Sequence, residues 1–272
     1  MTEIICLANS RKFNKRCIAG IELATGKWVR PVSPTKDGSI PLSLLDIEGS
    51  PVKPLDIIDV PLSDQHQGYE VENRLLLDGE WRRIGQKDIL DLLPFCEDEL
   101  IHNLPGWERA VPYEDLLHLP LAERRTLQLV FSEEVNFFLK SGWGVTGKSS
   151  WRASFSLVGK EHLSVTDDDL VAKLQAGDIL QEPFLLTLSL SQPFIKDKTD
   201  IHSREACYRL VAFALPLQEN HVLTIKTDRI IKRLKWQESD RRSFLEKHFN
   251  KRSRRLLTIE EFRHFYDLVS NL

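Results

Sequence analysis

Arg11, Lys12, Lys15 and Arg16 crowd one short stretch of the chain, and Trp28 and Arg30 follow closely. Guanidinium and ammonium groups neutralise phosphate, arginine also stacks on a base face, and an indole ring offers a stacking platform. The same combination recurs at Trp81, Arg82 and Arg83, and again at Trp143, Lys148, Trp151 and Arg152 within GWGVTGKSSWR. A fourth concentration, Lys251, Arg252, Arg254 and Arg255, lies toward the C-terminal end. Together these are candidate residues for binding single-stranded DNA or RNA. Each has a plain structural alternative, since tryptophans fill cores and basic loops are solvated. The coincidence of both residue types at separate places is what favours binding.

Catalytic chemistry finds less support. Residues 142–149 satisfy the pattern G-x-x-x-x-G-K-S. A working phosphate loop also needs a long helix after it, so that the amides of the helix N-terminus meet the phosphate. The text that follows, SWRASFSLV, is strand-like, so the match reads as chance within a hairpin loop. Asp167, Asp168 and Asp169 could hold a divalent cation, but three aspartates also suit a helix start, where they meet the positive end of the dipole. The eight histidines show no HExxH spacing, and no GxSxG elbow is present. A non-enzymatic protein without metal or cofactor is expected.

Such residues need a scaffold to position them. At 272 residues, 42% hydrophobic and 28% charged, the chain can build one large core or two ordinary ones. Four cysteines, Cys6, Cys17, Cys96 and Cys207, form no CxxC pair, which argues for reduced and mostly buried thiols. The opening MTEIICLANSRK lacks the layout of a signal peptide, and no apolar run approaches the roughly 20 residues that span a bilayer. A cytoplasmic protein with no membrane partner is expected.

Residues 3–8, 17–23 and 55–62 read as strands, as does a stretch carrying Trp28 and Val29 that Pro31 and Pro34 then end, and 69–77 and 80–84 read as a further pair across the Asp78-Gly79 turn. That set suggests a small barrel or sandwich. Between 87 and 119 apolar residues recur at helical spacing, broken by Pro94 and Pro105, so short helices are expected. Strand texture returns at 126–131, 135–140, 149–158, 161–166, 184–190 and 206–215. A helix over 167–176 interrupts it, with Asp167 as N-cap and Gly177 as stop.

Residues 221–234 read as a final strand or edge element. Helices follow over 238–249 and 258–270, with Ser239 and Thr258 as N-caps, and Thr258 stands three residues before Glu261 as in a capping box. Between Lys226 and Arg255 there are twelve Lys/Arg against four Asp/Glu, a net +8, which leaves −11 for the rest of a chain that totals −3. The overall charge says nothing for nucleic acid, but the polarity of its distribution does.

The opening resembles the bacterial dual OB-containing domain family. The likeness rests on ICLANSRK, on CIAGIEL followed by GKWVRPVS, and on His66-Gln67 and Glu72-Asn73 ahead of Trp81. Farther on it continues through SFSLVGKEHLSVTD at 154–167, FLLTLSLSQPF at 184–194 and CYRLVAFAL at 207–215, covering roughly residues 1–216. The resemblance implies two OB-type barrels and a setting in phage defence or genome maintenance. The expected fold is mainly β with α additions. It comprises a first OB-like barrel (1–86), a helical connector (87–120), a second barrel (121–216) and a basic helical module (217–272). The expected role is non-catalytic nucleic-acid binding as an accessory subunit. The alternative is an adaptor that docks a larger effector, a helicase or nuclease, through the barrels and C-terminal helices.

Overall fold

A computed structural model describes every residue except 13–14, 36, 142–148, 179, 181–182 and 196–203. The chain opens with β1 (Thr2–Lys12), β2 (Lys15–Glu22) and β3 (Trp28–Val32), successive antiparallel neighbours. Gly20 is required where β2 crosses β1, because a Cβ there would lie 1.9 Å from the Ile5 carbonyl oxygen. A small hairpin of β4 (Asp46–Ile47) and β5 (Ser50–Pro51) leads to β6 (Asp56–Val60), β7 (Leu62–His66) and β8 (Asn73–Leu76). Only Pro61 separates β6 from β7. Proline has no N–H for the ladder, and the strand changes partner there. Its first half pairs with β1, its second half with β8, and β8 runs parallel to β3. The circuit β1, β2, β3, β8, β7–β6 returns to β1 as a five-stranded barrel of OB type.

The strand after the Asp78-Gly79 turn, β9 (Arg82–Gln86), does not pair with its predecessor as the sequence suggests. Both edges of β8 are already taken by β3 and β7, so β9 joins the free edge of β6. Ile4, Cys6, Ile18, Val29 and Ile58 fill the interior.

The connector holds two 3₁₀ turns (Ile89–Asp91, Leu93–Phe95), β10 (Cys96–Glu97), β11 (Ala110–Pro112) and α1 (Tyr113–His118). The second barrel consists of β12 (Leu127–Ser132), β13 (Asn136–Lys140), β14 (Ser150–Ser154), β15 (Leu163–Val165), α2 (Asp168–Ala176), β16 (Phe184–Leu190) and β17 (Ala206–Pro216). Here the first strand is the bent one. β13 pairs with β14 and β12 with β16, while β15 runs parallel to β17. Strand order matches the first barrel, with α2 between the third and fourth strands. Asp167 accepts hydrogen bonds from the N–H groups of Asp169 and Leu170, and Gly177 at φ 90° ends the helix. The aspartate run therefore starts a helix, and the described residues hold no group of three metal-ligating side chains.

The two barrels share a core. Ile5, Leu7 and Ile21 on the outside of the first meet Leu129, Phe131 and Leu185 of the second. Beside them Ala8 and Ala19 meet Leu127 and Ala212, small residues that let the sheets approach closely. Polar bonds cross the same boundary: Thr187 Oγ1 donates to the Leu7 carbonyl at 2.7 Å and the Arg11 amide to Thr166 at 3.1 Å.

Residues 221–234 are helical, not a strand: α3 spans Glu219–Arg233. The run VLTIKT alternates like a strand because the helix is buried on two sides. Val222 and Ile225 face the inter-barrel cluster, whereas Leu223 and Ile231 meet Leu245, Phe262, Phe265 and Val269. Those partners lie on α4 (Glu238–Phe249) and α5 (Ile259–Ser270). Gln237 rather than Ser239 caps α4, while Thr258 and Glu261 form the expected capping box of α5. Ion pairs Lys226–Glu133, Arg229–Asp98 and Arg255–Asp91 tie this basic module to the acidic body. No helix among the described residues is long and apolar enough to cross a membrane. Cys6 and Cys207 are buried, Cys17 and Cys96 half-buried, and none is in a disulfide.

Candidate nucleic-acid interface

In an OB barrel the second and third strands, with the loops beside them, form the ligand face. On the first barrel those strands are β2 and β3, and their outward residues are already occupied. Trp28 is half-buried between the barrels, in the apolar contact that also takes Ala19 and Ile21. Arg30 is only 4% exposed. Its Nη1 donates to Glu70 at 2.9 Å and Asn73 at 3.1 Å, and its Nη2 to Thr126 at 3.0 Å and Ser189 at 3.4 Å. Its neighbouring carboxylates outweigh the desolvation and hold the guanidinium pKa above its ordinary value. Glu72, two residues on, accepts the amides of Thr126 (2.6 Å) and Leu127 (3.1 Å). The residues expected as a binding end thus stitch one barrel to the other.

Trp81, 8% exposed, packs in the first barrel's core. Arg83 is held by Asp56 at 2.9 Å and by the Pro51 carbonyl, while Arg82 is exposed. At the tip of the β1–β2 hairpin, Arg11 (3.6 Å) and Arg16 (2.6 Å) share Asp168 from the first turn of α2, and Lys15 is half-buried. The side chain of Lys12 and the whole of Trp143 and Lys148 lie outside the described residues. In the C-terminal module Lys251 pairs with Glu261, Arg252 with Glu246, Arg254 with Asp228 and Arg255 with Asp91.

The second barrel presents its equivalent face differently. Strand alternation sends Ala153 into the core, with Trp151 packed against it, and Arg152 outward. Register aligns Arg152 with Phe138 on one side and Ser164 on the other, and Ser164 with Leu210, so one row crosses four strands. Arg152 donates to the Ser164 hydroxyl. Lys140 Nζ donates to His162 Nε2 at 2.9 Å, and the Phe138 ring meets the His162 ring edge-on. Arg109 lies over the Tyr208 ring, which meets the Phe194 ring at a tilt of 31° with centroids 4.6 Å apart. Phe194 is 47% exposed.

Lys140, Arg109 and Arg152 take part in none of the ion pairs among the described residues. Their mutual repulsion is visible in the neighbouring groups. Partial burial, then Lys140, Arg109 and Arg152, push the His162 pKa down, and burial followed by Arg109 does the same to Arg152. Cations kept together without ion-pair partners among the described residues, beside aromatic rings, are what a phosphate strand with stacking bases requires. Of this face the sequence reading found only Arg152. Phe138, Lys140, His162, Tyr208 and Arg109 are far apart in sequence, and the alternation in NFFLK was the one local signal for the first two.

The model of the family described as the dual OB-containing domain matches residues 2–213. No curated protein and no solved structure matches.

Proposed function

Because the chain belongs to the dual OB-containing domain family, we propose that it binds single-stranded nucleic acid, without chemistry of its own, on the outer face of the second barrel. The observation that carries this reading is the cluster of Lys140, Arg152 and Arg109, which make no ion pair among the described residues, beside Phe138 and Tyr208. Cations track the phosphates and the rings take bases. In this reading Arg11, Lys15 and Arg16 extend the track, because the Arg11 amide is bonded to Thr166 just beyond β15. Trp28 and Trp81 serve the scaffold.

The setting we propose is an accessory subunit of a bacterial phage-defence or genome-maintenance assembly, acting in the cytoplasm beside a larger effector; it rests on the family resemblance alone. The rival, an adaptor docking a helicase or nuclease through the barrels and C-terminal helices, would draw in part on the apolar faces of those helices. Those faces are spent on one another and on the barrels.

The test is a salt titration of binding to labelled single-stranded DNA, single-stranded RNA and duplex, with wild type beside Lys140→Ala/Arg152→Ala. Binding to single strands should weaken with salt, and the double variant should lower the slope of log K against log salt by about 1.4, about 0.7 for each lost phosphate contact on a single strand. No binding to any strand at low salt overturns the reading.

A further inference from the structure

We propose that the cavity between the two barrels receives a single nucleobase unstacked from the strand; this rests on the nucleic-acid reading above. The cavity measures about 300 Å³ and draws its walls from both barrels. That volume lies at the small end of ligand pockets and suits one base with its sugar. Leu210, the last member of the Phe138–Arg152–Ser164–Leu210 row, forms one wall, so a strand on the face leads into it. Phe194 stands at the rim as an exposed ring, and Arg11, whose side chain is 59% exposed, borders the same opening, where a phosphate would lie.

The lining has the chemistry that reads a base. Flipped bases are recognised by stacking between aromatic or apolar side chains and by hydrogen bonds to their polar edge. Leu210 and Phe194 supply the first. Ser189 and Gln192, held beside the Arg30–Glu70 pair, supply the second. These groups are fixed in advance. Glu70 also accepts from Gln192 at 3.1 Å and from Asn73, and Arg30 already holds four acceptors. A buried ion pair gives less stability than an apolar filling of equal volume. Here the pair both ties the barrels together and forms part of the wall of an open cavity, so the polar atoms beside it are held in place for a base edge.

The experiment compares an oligothymidylate of about ten nucleotides, within the span of one or two OB barrels, with the same strand carrying a single abasic site at each position in turn. One interior position should cost wild type about tenfold in affinity, the loss of one well-held base. Leu210→Trp, which fills the cavity, should bind the intact strand as weakly as wild type binds that abasic strand, with no further loss from the abasic site. Phe194→Ala, truncated at an exposed position, should flatten the same profile and serves if Leu210→Trp fails to fold in a thermal melt. Equal losses at every abasic position, or wild-type affinity in both variants, overturn the pocket while leaving the face intact. Absence of binding by wild type overturns both.

Discussion

The two barrels share a strand order and differ in what they do with the same face. Outward residues of the second and third strands include Ala19, Ile21, Trp28 and Arg30 in the first barrel, and Arg152 and Ser164 in the second. The first set, apolar apart from the ion-paired Arg30, is consumed by the inter-barrel contact; the second is polar and partly exposed. A shared strand order therefore does not mean a shared surface. The first barrel's face is the platform that meets the second, and its arginines Arg30, Arg83 and Arg74 are each paired with carboxylates.

The largest effect expected from this division falls on stability. Arg30→Met strands Glu70 as a buried carboxylate and should lower the free energy of unfolding by about 3–5 kcal/mol. Adding Glu70→Gln should return part of the loss. Denaturant unfolding checks both. A cost under about 1 kcal/mol, the range of a surface pair, would mean that the first barrel's arginine is not what holds the two together.

On the open face the expected losses are in binding. Tyr208→Ala removes a stacking platform and should cost about 1–3 kcal/mol of affinity for a single strand while leaving the salt slope unchanged. Arg82→Ala, an exposed cation on the first barrel, should leave affinity within about twofold. Anisotropy titrations at two salt concentrations separate the cases. Equal losses from the two substitutions would erase the distinction between barrels.

A smaller effect comes from pH. His162 is held below its ordinary pKa by burial and by Lys140, Arg109 and Arg152, with Glu161 opposing. In the free protein it stays neutral after a histidine of the unfolded chain has taken its proton, so it subtracts stability as pH falls through the ordinary histidine range and below. A bound phosphate reverses the sign of its surroundings and raises the pKa. Affinity for a single strand should accordingly rise by a few-fold between about pH 7.5 and 5.5, and His162→Ala should remove that rise. A rise of the same size in the variant would place the titrating group elsewhere.

Much of the scaffold was legible because its signals are local. Strand alternation, the Asp167 cap, the Gly177 stop and the Thr258–Glu261 box each need only a few neighbouring residues. What failed was relational. α3 looked like a strand because two partners bury opposite sides of it, and β9 went to β6 because β8 had no free edge. The site was harder still. A tryptophan beside arginines reads alike whether the ring stacks on a base or fills a core, and Trp81 fills a core. The row from Phe138 to Leu210 exists only once four strands are in register.

The comparison is sharpest where the first barrel could contribute to the face of the second. Asp168 stands where they meet and takes both Arg11 and Arg16. Partly exposed pairs of this kind contribute about 0–1 kcal/mol, so Asp168→Asn should change unfolding by no more than that. Asp167, not Asp168, caps α2, so the helix start survives the substitution. The released guanidiniums would then face the strand without a competing carboxylate, and affinity should rise by about two- to fivefold at low salt with the gain lost at high salt. If affinity is unchanged, the first barrel's basic hairpin lies off the path of the strand and the second barrel binds alone. If it rises and Arg11→Ala abolishes the rise, the hairpin is part of the track, and the carboxylate that neutralises it sets how tightly the protein holds.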